Sequence, residues 1–168
     1  RKAAEQGDAD AQFNLGLIVQ QGLGVKQSNV EAVHWFQKAA DQGCARAQGH
    51  LGFSFEKGLG SKQDHAKAAL WYRKSANQGA VDAQCNLGNL LRDGIGVKQD
   101  QVEAARWFRR AAEQGYANAQ LNLGVMYAHG YGVKQDNAEA VRWYRKAAKQ
   151  EQIDAQLNLG AMYESGQG

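Results

Sequence analysis

Four tryptophans recur at a constant interval of 36 residues, at Trp35, Trp71, Trp107 and Trp143. A Leu-Gly pair keeps the same interval and begins at Leu15, Leu51, Leu87, Leu123 and Leu159. A fixed period of roughly 20 to 50 residues is typical of a stacked repeat protein, in which each unit buries its apolar face against its neighbours. We therefore divide the chain, as a single repeat domain, into the end of one unit (1–7), four full units (8–43, 44–79, 80–115 and 116–151) and the first half of a fifth (152–168).

The fourth unit shows why each repeat is expected to contain two helices. Apolar residues in segment 117–129 follow helical spacing, and a glycine-rich turn at 130–135 separates them from a second apolar stripe around Trp143. Asp136 precedes that stripe. Glu139 lies three residues after Asp136, which is the spacing of a reciprocal capping box. The same spacing recurs at Ser28 with Glu31 and at Asp100 with Glu103.

The composition favours helix along the whole chain. Val and Ile together account for only 13 residues and the chain has no Thr and no Pro, whereas strands are rich in β-branched residues. The sequence thus predicts an all-α fold, an α/α solenoid of 36-residue helix–loop–helix repeats. No apolar run reaches the length of about 18 residues that a membrane span needs. A net charge of +3 is too small to argue for nucleic-acid binding.

Glycines recur at positions that normally disfavour them. The glycine of each Leu-Gly pair, such as Gly88, lies in the middle of a predicted helix, where it costs about 0.5–1 kcal/mol relative to alanine. Repetition of that cost implies a close approach between helices. A second glycine ends each second helix, as at Gly115, but Glu151 stands at this position in the fourth unit. We expect that junction to be strained or to end differently.

The consensus of the units resembles the Sel1-like repeat family, which is similar to tetratricopeptide repeats but has a longer loop in each unit. The resemblance covers every unit, and in the fourth it rests on the following residues: Ala119, Gln120, Leu123, Gly124, Tyr127, Gly130, Gly132, Val133, Asp136, Ala140, Trp143, Tyr144, Ala147 and Ala148.

The resemblance implies a right-handed α/α superhelix with a concave face lined by the first helix of each repeat. It also implies a role as an adaptor or scaffold for protein complexes, in bacteria, with a periplasmic or secreted location. Cys44 and Cys85 lie at non-equivalent positions of different units, so they do not form the paired cysteines of the disulfide-rich branch of the family. The chain begins within a repeat, and we interpret it as a fragment of a longer protein, with any signal peptide outside it.

The chain offers no pattern for catalysis, for a metal or for a cofactor. The four histidines fall at four different repeat positions, without the spacing of a zinc site. The Gly-x-Gly-x-Lys stretch at 130–134 joins two predicted helices, whereas a phosphate-binding loop follows a strand. No serine lies in a recognisable nucleophile motif. The sequence therefore indicates a protein that is not an enzyme and has no cofactor.

Positions that vary between the units are free to specify a partner. Gly49 in the irregular second unit stands where other units have larger side chains, so we expect room on that face. Aromatic residues and arginine are typical anchors of interfaces. The candidate partner-binding residues on the first-helix face are Arg46, His50, Phe53, Lys57, Asn86, Asn89, Arg92 and Asn122.

Asparagine recurs in one of these rows, in four of five units, although it is a mediocre helix former. The amides either bind the backbone of an extended peptide or fix the stacking of one repeat on the next. The function we predict is a non-catalytic scaffold that binds a protein or peptide on the concave face. The alternatives are a structural module that self-associates through exposed repeat ends, and a binder in the cell envelope or at a host surface.

Overall fold

The computed structural model describes residues 1–167, and all of the regular structure in that range is α-helical. The helices are α1 (Lys2–Glu5), α2 (Ala9–Gln21), α3 (Asn29–Asp41), α4 (Ala45–Lys57), α5 (His65–Asn77), α6 (Val81–Asp93), α7 (Gln101–Glu113), α8 (Ala117–His129), α9 (Asn137–Ala148) and α10 (Ile153–Glu164). The prediction of an all-α fold with two helices per 36 residues is confirmed. Within residues 1–167, every helix falls short of the length and apolar character that a membrane crossing requires.

The first of two compact units comprises residues 1–83 and 95–97. In it, α2 packs on α3, α3 on α4 and α4 on α5, so each helix contacts its neighbour along the chain. Its core is built on fully buried aromatic and aliphatic side chains, among them Phe36 and Leu51, with Trp35 and Trp71 nearly as deeply buried. The repeated apolar positions therefore form the core, as their spacing predicts.

The second unit comprises residues 84–94 and the chain from residue 98 onward. Here α7 packs on α8, α8 on α9 and α9 on α10. Trp107, Phe108, Trp143 and Tyr144 are all buried, and Tyr144 joins Val141 and Met162 in one apolar cluster. The second helix of each repeat thus contributes the large rings of the core.

The second helices begin with the predicted N-caps, but the capping boxes are not reciprocal. The Asp100 carboxylate accepts a hydrogen bond from the Glu103 backbone N–H at 2.8 Å. The Asp100 N–H, however, donates to the Leu91 carbonyl at the end of the preceding helix. Since that N–H is already paired, the Glu103 carboxylate instead accepts the indole N–H of Trp107 at 3.0 Å.

Each interior Leu-Gly pair places its glycine directly against a ring of the following helix. A Cβ built on Gly88 would lie 2.7 Å from Cε1 of Phe108, and Gly16, Gly52 and Gly124 face their own rings as closely. The expected close approach of helices is therefore confirmed. Gly160 in α10 differs, because a Cβ there would meet nothing within 4 Å.

The glycine-rich turns are packed segments of the repeat. A Cβ on Gly60 would overlap the backbone of Asn29, and one on Gly132 would overlap the backbone of Gln101. Each of these glycines therefore lets a turn lie against the start of the second helix of the preceding repeat. This contact explains the recurrence of the turn sequence without any phosphate ligand.

Glu151 adopts a φ of 63°, the one positive φ of a non-glycine residue in the described chain. Gly43, Gly79 and Gly115 hold the matching positions with φ between 89° and 92°. A side chain in this left-handed region is strained, because its Cβ crowds the following carbonyl oxygen. The predicted departure at this junction is confirmed.

Candidate functional site

The candidate residues form two sets, one in each compact unit. Arg46, His50, Phe53 and Lys57 all belong to α4 in the first unit. Asn86, Asn89 and Arg92 belong to α6, and Asn122 to α8, in the second unit. Each set therefore projects from the first helices of its repeats, as the sequence analysis assumed.

Arg46 spans two repeats of the first unit. Its guanidinium donates to the Asp10 carboxylate at 2.7 Å and lies over the Phe13 ring, 4.7 Å from the centroid. Both charged side chains are well exposed, so the ion pair itself adds little stability, roughly 0–1 kcal/mol. The pair holds the cation in place over an aromatic ring while leaving it accessible to solvent.

His50 is part of an aromatic cluster. Its ring lies 5.2 Å from the rings of both Phe13 and Phe36, and the contact with Phe13 is edge-to-face. Burial lowers the pKa of His50, and the nearby Asp82 carboxylate partly opposes that shift. The imidazole is thus held in its neutral form and packs as an aromatic ring.

The C-terminal end of α4 exposes an aromatic side chain next to charged ones. Phe53 is 41% exposed, and the Lys57 ammonium lies 5.9 Å from the centroid of its ring. Lys57 also contacts the Glu56 carboxylate at 2.5 Å, and that carboxylate accepts the Tyr72 hydroxyl at 2.7 Å. Glu56 is therefore held between a cation and a phenol, beside an open aromatic surface.

The expectation that Gly49 leaves room on this face is wrong. A Cβ at Gly49 would lie 3.3 Å from the Ser75 hydroxyl of the partner helix α5. The same row of positions contains Phe13 and Cys85, which are 4% and 3% exposed. Because this row points toward the second helices and the core, a missing side chain there brings helices together and opens no space for a ligand.

Arg92 and the asparagines form a network in the second unit. The Arg92 guanidinium donates to both oxygens of Asp93, at 2.7 and 2.8 Å, and to the Asn122 side-chain oxygen at 3.0 Å. The Asn122 amide donates in turn to Asn89 at 3.4 Å. The hydrogen bond to Asp93 raises the pKa of Arg92, and the same contact lowers the pKa of Asp93.

This network bears on the two interpretations of the asparagine row. Asn122 accepts a hydrogen bond from the preceding repeat, as the stacking interpretation requires. Asn86 is half-buried on α6, and Asn158, which follows Asn122 in the row, lines a pocket. Asn122 thus forms a hydrogen bond between repeats, and Asn158 faces an open space.

A second amide ladder was missed in the sequence. Gln48 donates to the Ala40 carbonyl at 3.1 Å and accepts the amide of Gln78 at 2.8 Å, and the second unit repeats this at Gln120 and Gln150. The glutamines at 12, 48, 84 and 120 are buried, with at most 5% of each residue exposed. Their strict 36-residue recurrence was the signal, since a buried amide that recurs at one position indicates a structural hydrogen bond.

The described residues contain no group of three or more His, Cys, Asp or Glu side chains arranged to hold a metal ion. Cys44 and Cys85 are not joined in a disulfide. Among the candidate residues, Arg46, Phe53 and Lys57 are exposed on α4, whereas the candidate asparagines are half-buried.

Comparison with known protein families finds five matches along the chain. The model of the Sel1 repeat family matches residues 9–44, 45–79, 81–116, 117–151 and 153–168. A search among curated proteins found no match.

Two solved structures are similar along nearly the whole chain. The first is c5321, a protective antigen of uropathogenic Escherichia coli with an SLR fold. It is 42% identical, has a TM-score of 0.95, and its match covers 98% of this chain and 35% of that one. The second is a Sel1 repeat protein from Oxalobacter formigenes, which is 40% identical with a TM-score of 0.91 over 96% of this chain and 64% of that one.

A more distant similarity concerns the fold alone. Cysteine-rich protein B of Helicobacter pylori is 24% identical, with a TM-score of 0.57 over 71% of this chain and 91% of that one. These matches confirm the α/α-solenoid class that the sequence predicts. The chain spans about a third and just under two thirds of the length of the two more similar structures.

Proposed function

Since the chain belongs to the Sel1 repeat family, we propose that it is a non-catalytic scaffold that binds a protein or peptide through the exposed side chains of its first helices. Sel1 repeats generally mediate interactions between proteins, and members of the family are typically non-catalytic scaffolds.

The exposed ring of Phe53 carries the proposal. The recurring aromatic residues of the second helices are buried, whereas Phe53 is 41% exposed on a first helix. Lys57 lies beside its ring, and Arg46 on the same helix lies over Phe13. Aromatic and arginine side chains that a partner can desolvate are the usual anchors of a protein interface.

The test compares two exposed apolar residues, one on the first helix of the repeat and one on the second. Phe53→Ala removes the proposed anchor on α4, and Leu70→Ala removes a 53% exposed side chain from the second helix α5. Neither change opens a deep cavity, so both variants should keep the melting temperature of the parent. Affinity capture from native extract should recover a partner with the parent and with Leu70→Ala but lose it with Phe53→Ala.

A partner that is retained by Phe53→Ala, or lost with Leu70→Ala alone, would place binding elsewhere and refute the proposal. Arg92 is also a candidate partner-binding residue, but Arg92→Ala is unsuitable as a probe because the guanidinium makes three hydrogen bonds within the protein. Loss of those bonds would lower stability together with any binding.

Self-association through a repeat end is the second candidate, and it is supported by the exposed surface of α10. Ile153 and Leu157 are 68% and 65% exposed there, while Phe13 holds the same repeat position as Leu157 and is 4% exposed. Sedimentation at rising protein concentration should show a dimer that Leu157→Ser dissociates. A monomer at all concentrations would remove this candidate and leave the scaffold proposal standing.

A further inference from the structure

A pocket of about 420 Å³ lies in the second unit where α8, α9 and α10 meet. Six of its described lining residues have polar side chains and none is Asp or Glu; the polar residues are His129, Gln135, Tyr144, Asn158, Ser165 and Gln167. A volume of this size is within the range of small-ligand sites, roughly 300–1,000 Å³. The pocket therefore has both the room and the polar groups that a ligand needs.

The second repeat has side chains at the positions equivalent to this pocket, 72 residues earlier in the sequence. Glu56 there holds the position of Ala128, Lys57 that of His129 and Tyr72 that of Tyr144. The Glu56 carboxylate accepts the Tyr72 hydroxyl at 2.7 Å and contacts the Lys57 ammonium at 2.5 Å. In that repeat, the protein's own carboxylate satisfies the phenol.

The third repeat shows that the side chain at this position is matched to the ring it faces. Arg92 holds the position of Ala128, and its guanidinium lies 6.0 Å from the ring centroid of Phe108, which has no hydroxyl. An acid thus accompanies the tyrosine in one repeat and a cation accompanies the phenylalanine in the other. In the fourth repeat the ring is again tyrosine, but alanine at position 128 supplies no acceptor.

The groups around the pocket are suited to bind an anion. Burial raises the pKa of Tyr144 to about 12, so its hydroxyl keeps its proton and can donate at neutral pH. The Asn158 amide offers further N–H groups, and His129 stacks on Tyr131 with the ring centroids 5.3 Å apart. Hydrogen bonds to a carboxylate are about twice as strong as those between neutral groups.

We propose that this pocket binds a carboxylate of a partner, the side chain of a glutamate in a bound peptide, in the place that Glu56 fills in the second repeat. The inference deepens the scaffold function proposed above and rests on it, since it names the chemistry of the partner at one position of the first-helix face. The carboxylate would accept the Tyr144 hydroxyl and the Asn158 amide.

The test uses defined probes and isotope-labelled protein. The N-acetyl amide of glutamic acid is titrated while the NMR signals of Tyr144, Asn158 and Ala128 are followed, with the glutamine derivative as the uncharged control. The glutamic acid derivative should shift all three signals and the glutamine derivative should not. Tyr144→Phe, the ring found in two other repeats, should weaken the affinity about tenfold or more.

A second measurement uses the protein's own carboxylate. Ala128→Glu introduces the acid that the second repeat already carries, so it should abolish binding of the probe. It should also raise the melting temperature with Tyr144 present and not with Tyr144→Phe. Glutarate tests whether the site requires a peptide. Equal affinity for glutarate and for the glutamic acid derivative would assign the site to small carboxylic acids.

Three results would overturn the proposal. One is equal shifts with the glutamic acid and glutamine derivatives, or none with either. Another is an unchanged affinity in Tyr144→Phe, and the third is an affinity for glutarate equal to that for the glutamic acid derivative. These outcomes are independent of the Phe53→Ala capture experiment, so the failure of this site and the failure of the scaffold function can be told apart.

Discussion

The contact between Gly88 and Phe108 allows a sharp test of how the helices pack. Gly88→Ala places a methyl group 2.7, 2.9 and 3.0 Å from three ring carbons of Phe108, closer than real Cβ contacts allow. Phe108 is fully buried, so the ring has no free space into which to move. Gly160→Ala is the matched control, because its methyl group would meet nothing within 4 Å.

Both substitutions gain stability from the higher helix propensity of alanine, but only Gly88→Ala loses stability through overpacking of the core. Alanine in a helix is favoured over glycine by about 0.5–1 kcal/mol, which applies to both sites. Overpacking of a dense core costs about 1–3 kcal/mol, which applies to Gly88 alone. Gly88→Ala should therefore lower the free energy of unfolding by up to about 2.5 kcal/mol, and Gly160→Ala should raise it by about 0.5–1 kcal/mol.

Urea denaturation followed by tryptophan fluorescence and circular dichroism measures both variants against the parent, with coincident transitions as the check for two-state unfolding. Phe108→Leu provides a further control, since the smaller side chain relieves the clash. Gly88→Ala should then be less harmful in the Phe108→Leu background than alone. An increase in stability for Gly88→Ala equal to that of Gly160→Ala would refute the packing argument.

Two further predictions concern strain and charge. Glu151→Gly removes a side chain from the left-handed region and should raise the free energy of unfolding by about 1 kcal/mol, measured by the same denaturation; no change would mean that the φ of 63° is not strained. Because burial lowers the pKa of His50 below 6.5, its neutral form stabilises the fold fully above that value, and this contribution is lost as the pH falls through the lowered pKa. His50→Asn should flatten the fall in melting temperature between pH 7 and pH 4, whereas an identical pH profile would show that His50 is not desolvated in solution.

The period of the sequence predicted most of the fold, because each recurrent residue has one structural task. The buried tryptophans, the N-caps and the glycines against aromatic rings all follow from position within the repeat. Glu103 shows where such reasoning fails. It lies three residues after the N-cap Asp100 and four before Trp107, so its spacing permits either hydrogen bond. The structure decides between them, because the N-cap amide is already bound to Leu91 of the preceding helix.

The candidate site was less predictable, because its residues vary and several of their partners lie in neighbouring helices. The sequence could place Arg46 and Phe53 on a first helix. It could not show that Arg46 would lie on Phe13, or that Arg92 would be committed to Asp93 and Asn122. A charged residue at a variable position is available to a partner only to the extent that its own neighbours leave it unpaired, and some of those neighbours belong to another repeat.

The residue that faces the ring of the second helix differs between the second and third repeats together with that ring. Glu56 is bound by Tyr72 and Arg92 lies over Phe108, so each of these repeats satisfies its own ring. A carboxylate from another molecule at either place would have to displace a side chain that is already held there. At Tyr144 the ring has its hydroxyl, position 128 is alanine, and a pocket opens beside them. A repeat array can thus provide a binding site where the side chain that faces the ring is absent. The constant residues that build the core remain unchanged.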